Sequence, residues 1–154
     1  MYRDYLKDRI GSLIYITGTL LRCFSSQTFK EKNFELTPDQ YVLLSLLLEN
    51  EEIIYQRQLA EITFKDRANI SRIIEILHQK GFIEKETAAD NKKHVNLLLT
   101  DSANELIQDG IRVQKQFAED MLRGLTKEEI ALCKQVFQKI CDNAERCIKE
   151  KGQR

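Results

Sequence analysis

Proline is nearly missing from this 154-residue chain: Pro38 stands alone, and only six glycines accompany it. Sheets need many turns, and turns draw on glycine, proline and asparagine. A mainly helical chain is therefore the default. No stretch approaches the roughly 20 apolar residues of a membrane span. The opening Met1-Tyr2-Arg3-Asp4-Tyr5 contains an acid and no apolar core, which argues against a secretory signal and leaves the cytoplasm as the default compartment. An excess of charge is missing too, because 24 Lys and Arg balance 24 Asp and Glu. That counts against a nucleic-acid binder working by bulk electrostatics, though not against one with a local positive face. The four cysteines, at 23, 133, 141 and 147, include no Cys-x-x-Cys, and neither His78 nor His94 lies at ligand spacing from one. No metal site and no disulfide scaffold is expected. Nucleophile elbow, phosphate loop, dinucleotide fingerprint and His-Glu-x-x-His are all absent, so neither a cofactor nor an enzyme is expected.

What is there is helical periodicity with clear punctuation. From about Tyr2 to Lys32, Tyr5, Leu6, Ile10, Leu13, Ile14, Leu20, Leu21 and Phe24 recur at three- and four-residue steps. Gly11 and Gly18 weaken that helix without ending it. Thr37 is an N-cap, Pro38 occupies the first helical position and Gln40 completes a capping box, with Leu36 and Tyr41 at the staple positions. The run from Val42 to Leu48 is apolar nearly all round, the mark of a buried helix. Ile53-Ile54 suits a very short strand. Gln56 to Thr63 is a short helix, Phe64-Lys65-Asp66 a turn, and Arg67 to Lys80 a longer helix capped by Asp66 and closed by Gly81. Phe82–Glu86 and Val95–Leu99 are strand-like and flank a polar, protruding loop. Thr100 or Asp101 caps a helix running to about Arg123-Gly124. A second capping box, Thr126 and Glu129, starts the last helix, whose stripe includes Cys133, Val136, Phe137, Ile140, Cys141, Ala144, Cys147 and Ile148.

A short helix, a turn and a longer helix make a helix-turn-helix, and the hairpin after it makes it winged. The major groove admits one helix, whose N-terminal residues meet base edges. Ile70, Ile73, Ile74 and Leu77 define its buried side, leaving Arg67, Ala68, Asn69, Ser71 and Arg72 toward the open side. Arg suits guanine, Asn suits adenine, and Ala68 permits close approach. Lys65 and Arg57 are placed for phosphate, and in the wing, which begins at Asp90, the tip residues Asn91, Lys92 and Lys93 for the minor groove or the backbone. An ordinary solvated helix and an ordinary polar loop tip explain each feature taken singly; the two together, in this order, are more specific.

Leu59-Ala60-Glu61, Arg67 through Ile74 and Leu77 through Lys85 together resemble the multiple antibiotic resistance regulator (MarR) family, and Ala89 to Thr100 looks like its wing. The resemblance covers the central lobe closely and the outer helices only in length and order. It implies a fold that is mainly α with a small β-hairpin wing: residues 1–36 and 101–154 for dimerisation, and a DNA-binding lobe over 37–100. It further implies a homodimer on a pseudo-palindromic site in double-stranded DNA, and a small aromatic or phenolic effector in a crevice for which Tyr15, Arg22, Tyr41 and His78 are candidates. Outer stripes too apolar for the lobe to cover point to the same dimer, through Tyr5, Leu6, Ile10, Val136, Phe137, Ile140 and Ala144. Two departures stand out. Lys92 replaces the wing arginine and cannot make its planar bidentate contact, and Phe64 and Lys65 replace a small and an apolar turn residue.

Some relatives sense peroxides through a cysteine in the first helix, but the matching place here falls near Leu13, not Cys23. Cys133, Cys141 and Cys147 are expected to be buried as small hydrophobes on their stripe. The leading expectation is a ligand-responsive repressor. The alternatives are a thiol-based redox regulator with the same DNA module, and a protein-interaction module that has lost DNA binding, which the zero net charge would suit.

Overall fold

The computed structural model describes residues 9–50, 55–87 and 95–152. In order they form α1 (Ile10–Glu31), α2 (Pro38–Glu49), α3 (Gln56–Thr63), α4 (Arg67–Gln79), β1 (Ile83–Thr87), β2 (Val95–Leu99), α5 (Asp101–Met121) and α6 (Lys127–Gly152). This is the expected mainly helical class with one hairpin. No described helix is long and apolar enough to cross a membrane. The chain divides into two compact units, Met1–Phe117 and Ala118–Arg154.

In the first unit, local chemistry sets the helix ends. α1 closes on Asn33 in the left-handed region (φ 50°), with Phe34 N donating to Phe29 O and Asn33 N to Lys30 O. That is the double bond pattern of a Schellman stop, and the Phe29 and Phe34 rings meet edge-on 5.3 Å apart across it. The Tyr5 and Leu6 positions lie outside the described residues, as do Ile53 and Ile54. α2 begins with the expected box: Gln40 N donates to Thr37 Oγ1, and Thr37 N to Gln40 Oε1. α4 ends in a second Schellman stop at Gly81 (φ 76°), Phe82 N donating to Leu77 O and Gly81 N to His78 O.

The core gathers one face of each element. Leu44, Leu59 and Leu77 are fully buried, with Ile70, Ile73, Ile74, Ile83 and Leu97 around them. α2 is not buried all round as its sequence suggested: Val42 and Leu48 are exposed while Leu43 and Leu44 point inward. A helix at the edge of one lobe has only one side to cover. Phe29, Phe34 and Tyr41 form an aromatic cluster. α5 approaches it so closely at Gly110 that a Cβ there would fall 2.0 Å from Tyr41 Cε2.

β1 and β2 pair antiparallel, from Ile83 opposite Leu99 to Thr87 opposite Val95. Tyr55, at the start of α3, bridges to Asn96. The wing tip, with Asp90, Asn91, Lys92 and Lys93, lies outside the described residues.

In the second unit, Gly124 (φ 86°) supports the turn, and the Thr126–Glu129 box forms as expected. α6 leaves Leu132, Val136, Phe137 and Ile148 exposed. The expected burial of Cys133, Cys141 and Cys147 does not occur in this chain: all three are exposed, as is Cys23. A single long helix has too little chain beside it within Ala118–Arg154 to cover its own stripe.

Candidate nucleic-acid interface

The helix-turn-helix is built by α3, the turn Phe64–Asp66 and α4. Tyr55 N donates to Gln58 Oε1 (2.8 Å) at the start of α3, and Thr63 Oγ1 donates to Leu59 O (2.6 Å) near its end. Phe64 then takes a left-handed backbone, and Asp66 Oδ1 accepts from Asn69 N at 2.8 Å to cap α4. With Ile70, Ile73, Ile74 and Leu77 buried, Arg67, Ala68, Ser71 and Arg72 are exposed and Asn69 is half-buried. Neither Arg67 nor Arg72 has an ion-pair partner among the described residues. A helix N-terminus adds its partial positive charge to this edge.

The two cations assigned to phosphate are already engaged. Arg57 Nε donates to Glu61 Oε1 at 2.8 Å, and that hydrogen bond and the Glu61 charge raise the guanidinium above its ordinary pKa. Both groups are well exposed, so the pair is weak and solvent-screened. Lys65 Nζ donates to Asp39 Oδ2 at 2.9 Å, a partner 26 positions away that no local pattern announces.

Behind the recognition helix, α1, α2 and α4 enclose a cavity of about 590 Å³. Leu21, Val42, Ile73 and Ile76 form apolar wall; Arg22, Arg72 and Asp39 bring charge, and Ser25 and Ser26 hydroxyls. Of Tyr15, Arg22, Tyr41 and His78, only Arg22 lines it. Tyr41 is spent in the aromatic core, held there by Phe29 and Phe34. Tyr15 points to solvent at 73% exposure. His78 is exposed and donates through Nδ1 to Ile83 O at 2.8 Å, tying the end of α4 to β1. The sequence reading missed Arg72, Asp39 and the two serines as lining, because the wall is assembled from three helices distant in sequence.

Short helix, tight turn, groove-sized helix with an open edge, and hairpin together define a winged helix-turn-helix lobe. The profile of the MarR family matches residues 34–94. The chain is 32% identical over 130 residues to the uncharacterized HTH-type transcriptional regulator YybA of Bacillus subtilis strain 168, covering 84% of this chain and 86% of that one. It superposes on the crystal structure of the transcriptional regulator SlyA with a TM-score of 0.78 at 28% identity, over 90% of this chain and 95% of that one. The S. aureus MepR–DNA complex shares the fold, with a TM-score of 0.77 at 18% identity over 87% and 97% of the two chains. The chain belongs to the MarR family, whose members are transcriptional regulators and not enzymes.

Proposed function

We propose that this chain is a cytoplasmic, ligand-responsive repressor that binds a pseudo-palindromic site in double-stranded DNA as a homodimer. The observation that carries this reading is the open edge of α4, where Arg67, Ala68, Ser71 and Arg72 stand clear of the core. Arg67 and Arg72 pair with guanine edges and Asn69 with adenine, while Ser71 tolerates either. Arg57 and the wing residues Asn91, Lys92 and Lys93 meet the backbone. The MepR–DNA complex supports the DNA partner.

Residues 1–36 and 101–154 supply the dimer. The exposed Val136 and Phe137, with Ile140 and Ala144 on the same stripe and Ile10 on α1, favour a second copy as the covering surface. The cavity behind α4 takes the effector. Its apolar walls and the Arg22 guanidinium suit a small aromatic or phenolic acid. Selection of bound duplexes from a random pool, followed by a gel shift on the enriched sequence, tests the whole reading. A purified chain that enriches nothing at low salt would sink it. The exposure of all four cysteines keeps a thiol-responsive variant of the same function in view. Peroxide treatment that changes neither mass nor DNA binding removes that variant.

A further inference from the structure

Phe64 holds a left-handed backbone (φ 52°, ψ 28°) although it carries a Cβ. Such a conformation is costly and persists only where neighbouring structure over-determines it. Phe64 N donates to Glu61 O, and three side-chain ties surround it. Thr63 Oγ1 bonds back to Leu59 O, and Asp66 caps α4 through Asn69 N. Both are local to their own helices, while the buried Ile70, Ile73, Ile74 and Leu77 seat the body of α4 in the core. The third is long-range: Lys65 Nζ to Asp39 Oδ2, 2.9 Å.

Asp39 is fixed ground for such a tie. It lies in the first turn of α2, whose start is locked by the Thr37–Gln40 box. Beneath the ion pair, α2, α3 and α4 leave an apolar hollow of about 270 Å³, walled by Val42, Leu46, Ile62 and Ile70 and by both partners. The Lys65 side chain is only 29% exposed. Its stem covers apolar surface while its ammonium is satisfied from within the protein.

We propose that Asp39 and Lys65 form a strut that sets the N-terminus of the recognition helix against α2. Lys65 is then a positioning residue for base reading and not a phosphate contact. The proposal rests on the DNA-binding function given above.

The test compares the wild-type chain with Lys65→Met, Asp39→Asn and the double variant. Methionine keeps an unbranched stem over the hollow and removes only the charge. Affinity is measured across a salt series on a duplex enriched by the wild type and on an unrelated duplex. The ratio of the two affinities cancels the change in bulk charge. The strut predicts a ratio lowered roughly two- to fivefold in either single variant, the range an exposed ion pair supplies, and no further in the double. The salt slope of Lys65→Met on the unrelated duplex stays that of the wild type. A slope shallower by about one ion per chain, an unaltered ratio, or single losses that multiply in the double overturns the strut. In the free protein, the Asn69 and Ile70 amide resonances shift in both single variants and no further in the double; unmoved resonances overturn it as well. A wild-type chain that enriches no duplex defeats the DNA function instead, and the amide shifts then decide the strut alone.

Discussion

Lys85 Nζ lies 2.5 Å from Glu75 Oε2, so the first wing strand is ionically tied to the exposed side of the recognition helix. The hydrogen bond and charge of Lys85 hold the Glu75 carboxyl below the usual carboxylate range. A lowered acid pKa stabilises the fold above its unfolded value, and that contribution is lost as pH falls through the folded one. Glu75→Gln should therefore lower the urea midpoint at neutral pH, and the gap from wild type should close in acid. A gap of constant size from pH 7 to pH 3 would show that the ion pair is not its source.

Arg67→Ala should weaken binding to the preferred duplex by about 1 to 3 kcal/mol and relax preference at one base pair. Lys92→Ala should instead weaken binding to all sequences alike, with a salt slope shallower by about one ion per chain. Fluorescence anisotropy on matched and mismatched duplexes separates the two. Equal losses from Arg67→Ala on both duplexes would remove it from base reading.

Gly110→Ala sets two effects against each other. Alanine gains about 1 kcal/mol in helix propensity. Its Cβ, however, would lie 2.0 and 2.5 Å from two atoms of the buried Tyr41 ring, and overpacking costs about 1 to 3 kcal/mol. The clash should win and lower Tm, and Tyr41→Leu should recover part of the loss. A rise in Tm on Gly110→Ala alone would show that the aromatic cluster yields.

If two copies pair as proposed, Phe137→Glu should leave a monomer at micromolar concentration with helix content retained, because a charge on the stripe has no partner when two copies meet. Light scattering with circular dichroism checks both properties. A wild type that already runs at monomer mass contradicts the dimer outright.

Arg22→Ala should leave affinity for DNA within about twofold, since a residue of α1 touching no groove should lie within about 0.5 kcal/mol of neutral. It should blunt the release of DNA by a phenolic carboxylate, which loses its cation in the cavity. Release unchanged in the variant would take Arg22 out of effector binding.

Much of this fold is written in short-range signals. The Thr37–Gln40 and Thr126–Glu129 boxes, the Asp66 cap and the Gly81 stop each involve residues within a few positions, and each forms. The Arg67–Arg72 edge follows from helical periodicity in the same way. What was illegible depends on distance. Lys65 finds Asp39 across 26 positions and Lys80 finds the Glu35 carbonyl across 45. Tyr41 looked equally fit for a cavity or a core, and only the approach of Gly110 and Phe34 assigns it to the core. The α6 cysteines followed an apolar stripe correctly, but a stripe says nothing of whether its own chain supplies the cover.

The bridge between Tyr55 and Asn96 lays the threshold of α3 beside β2 as a third thread. Hairpin and helix pair are thereby joined through the backbone as well as through the Lys85–Glu75 ion pair. A displacement of the hairpin should therefore be felt at the start of α3 as well.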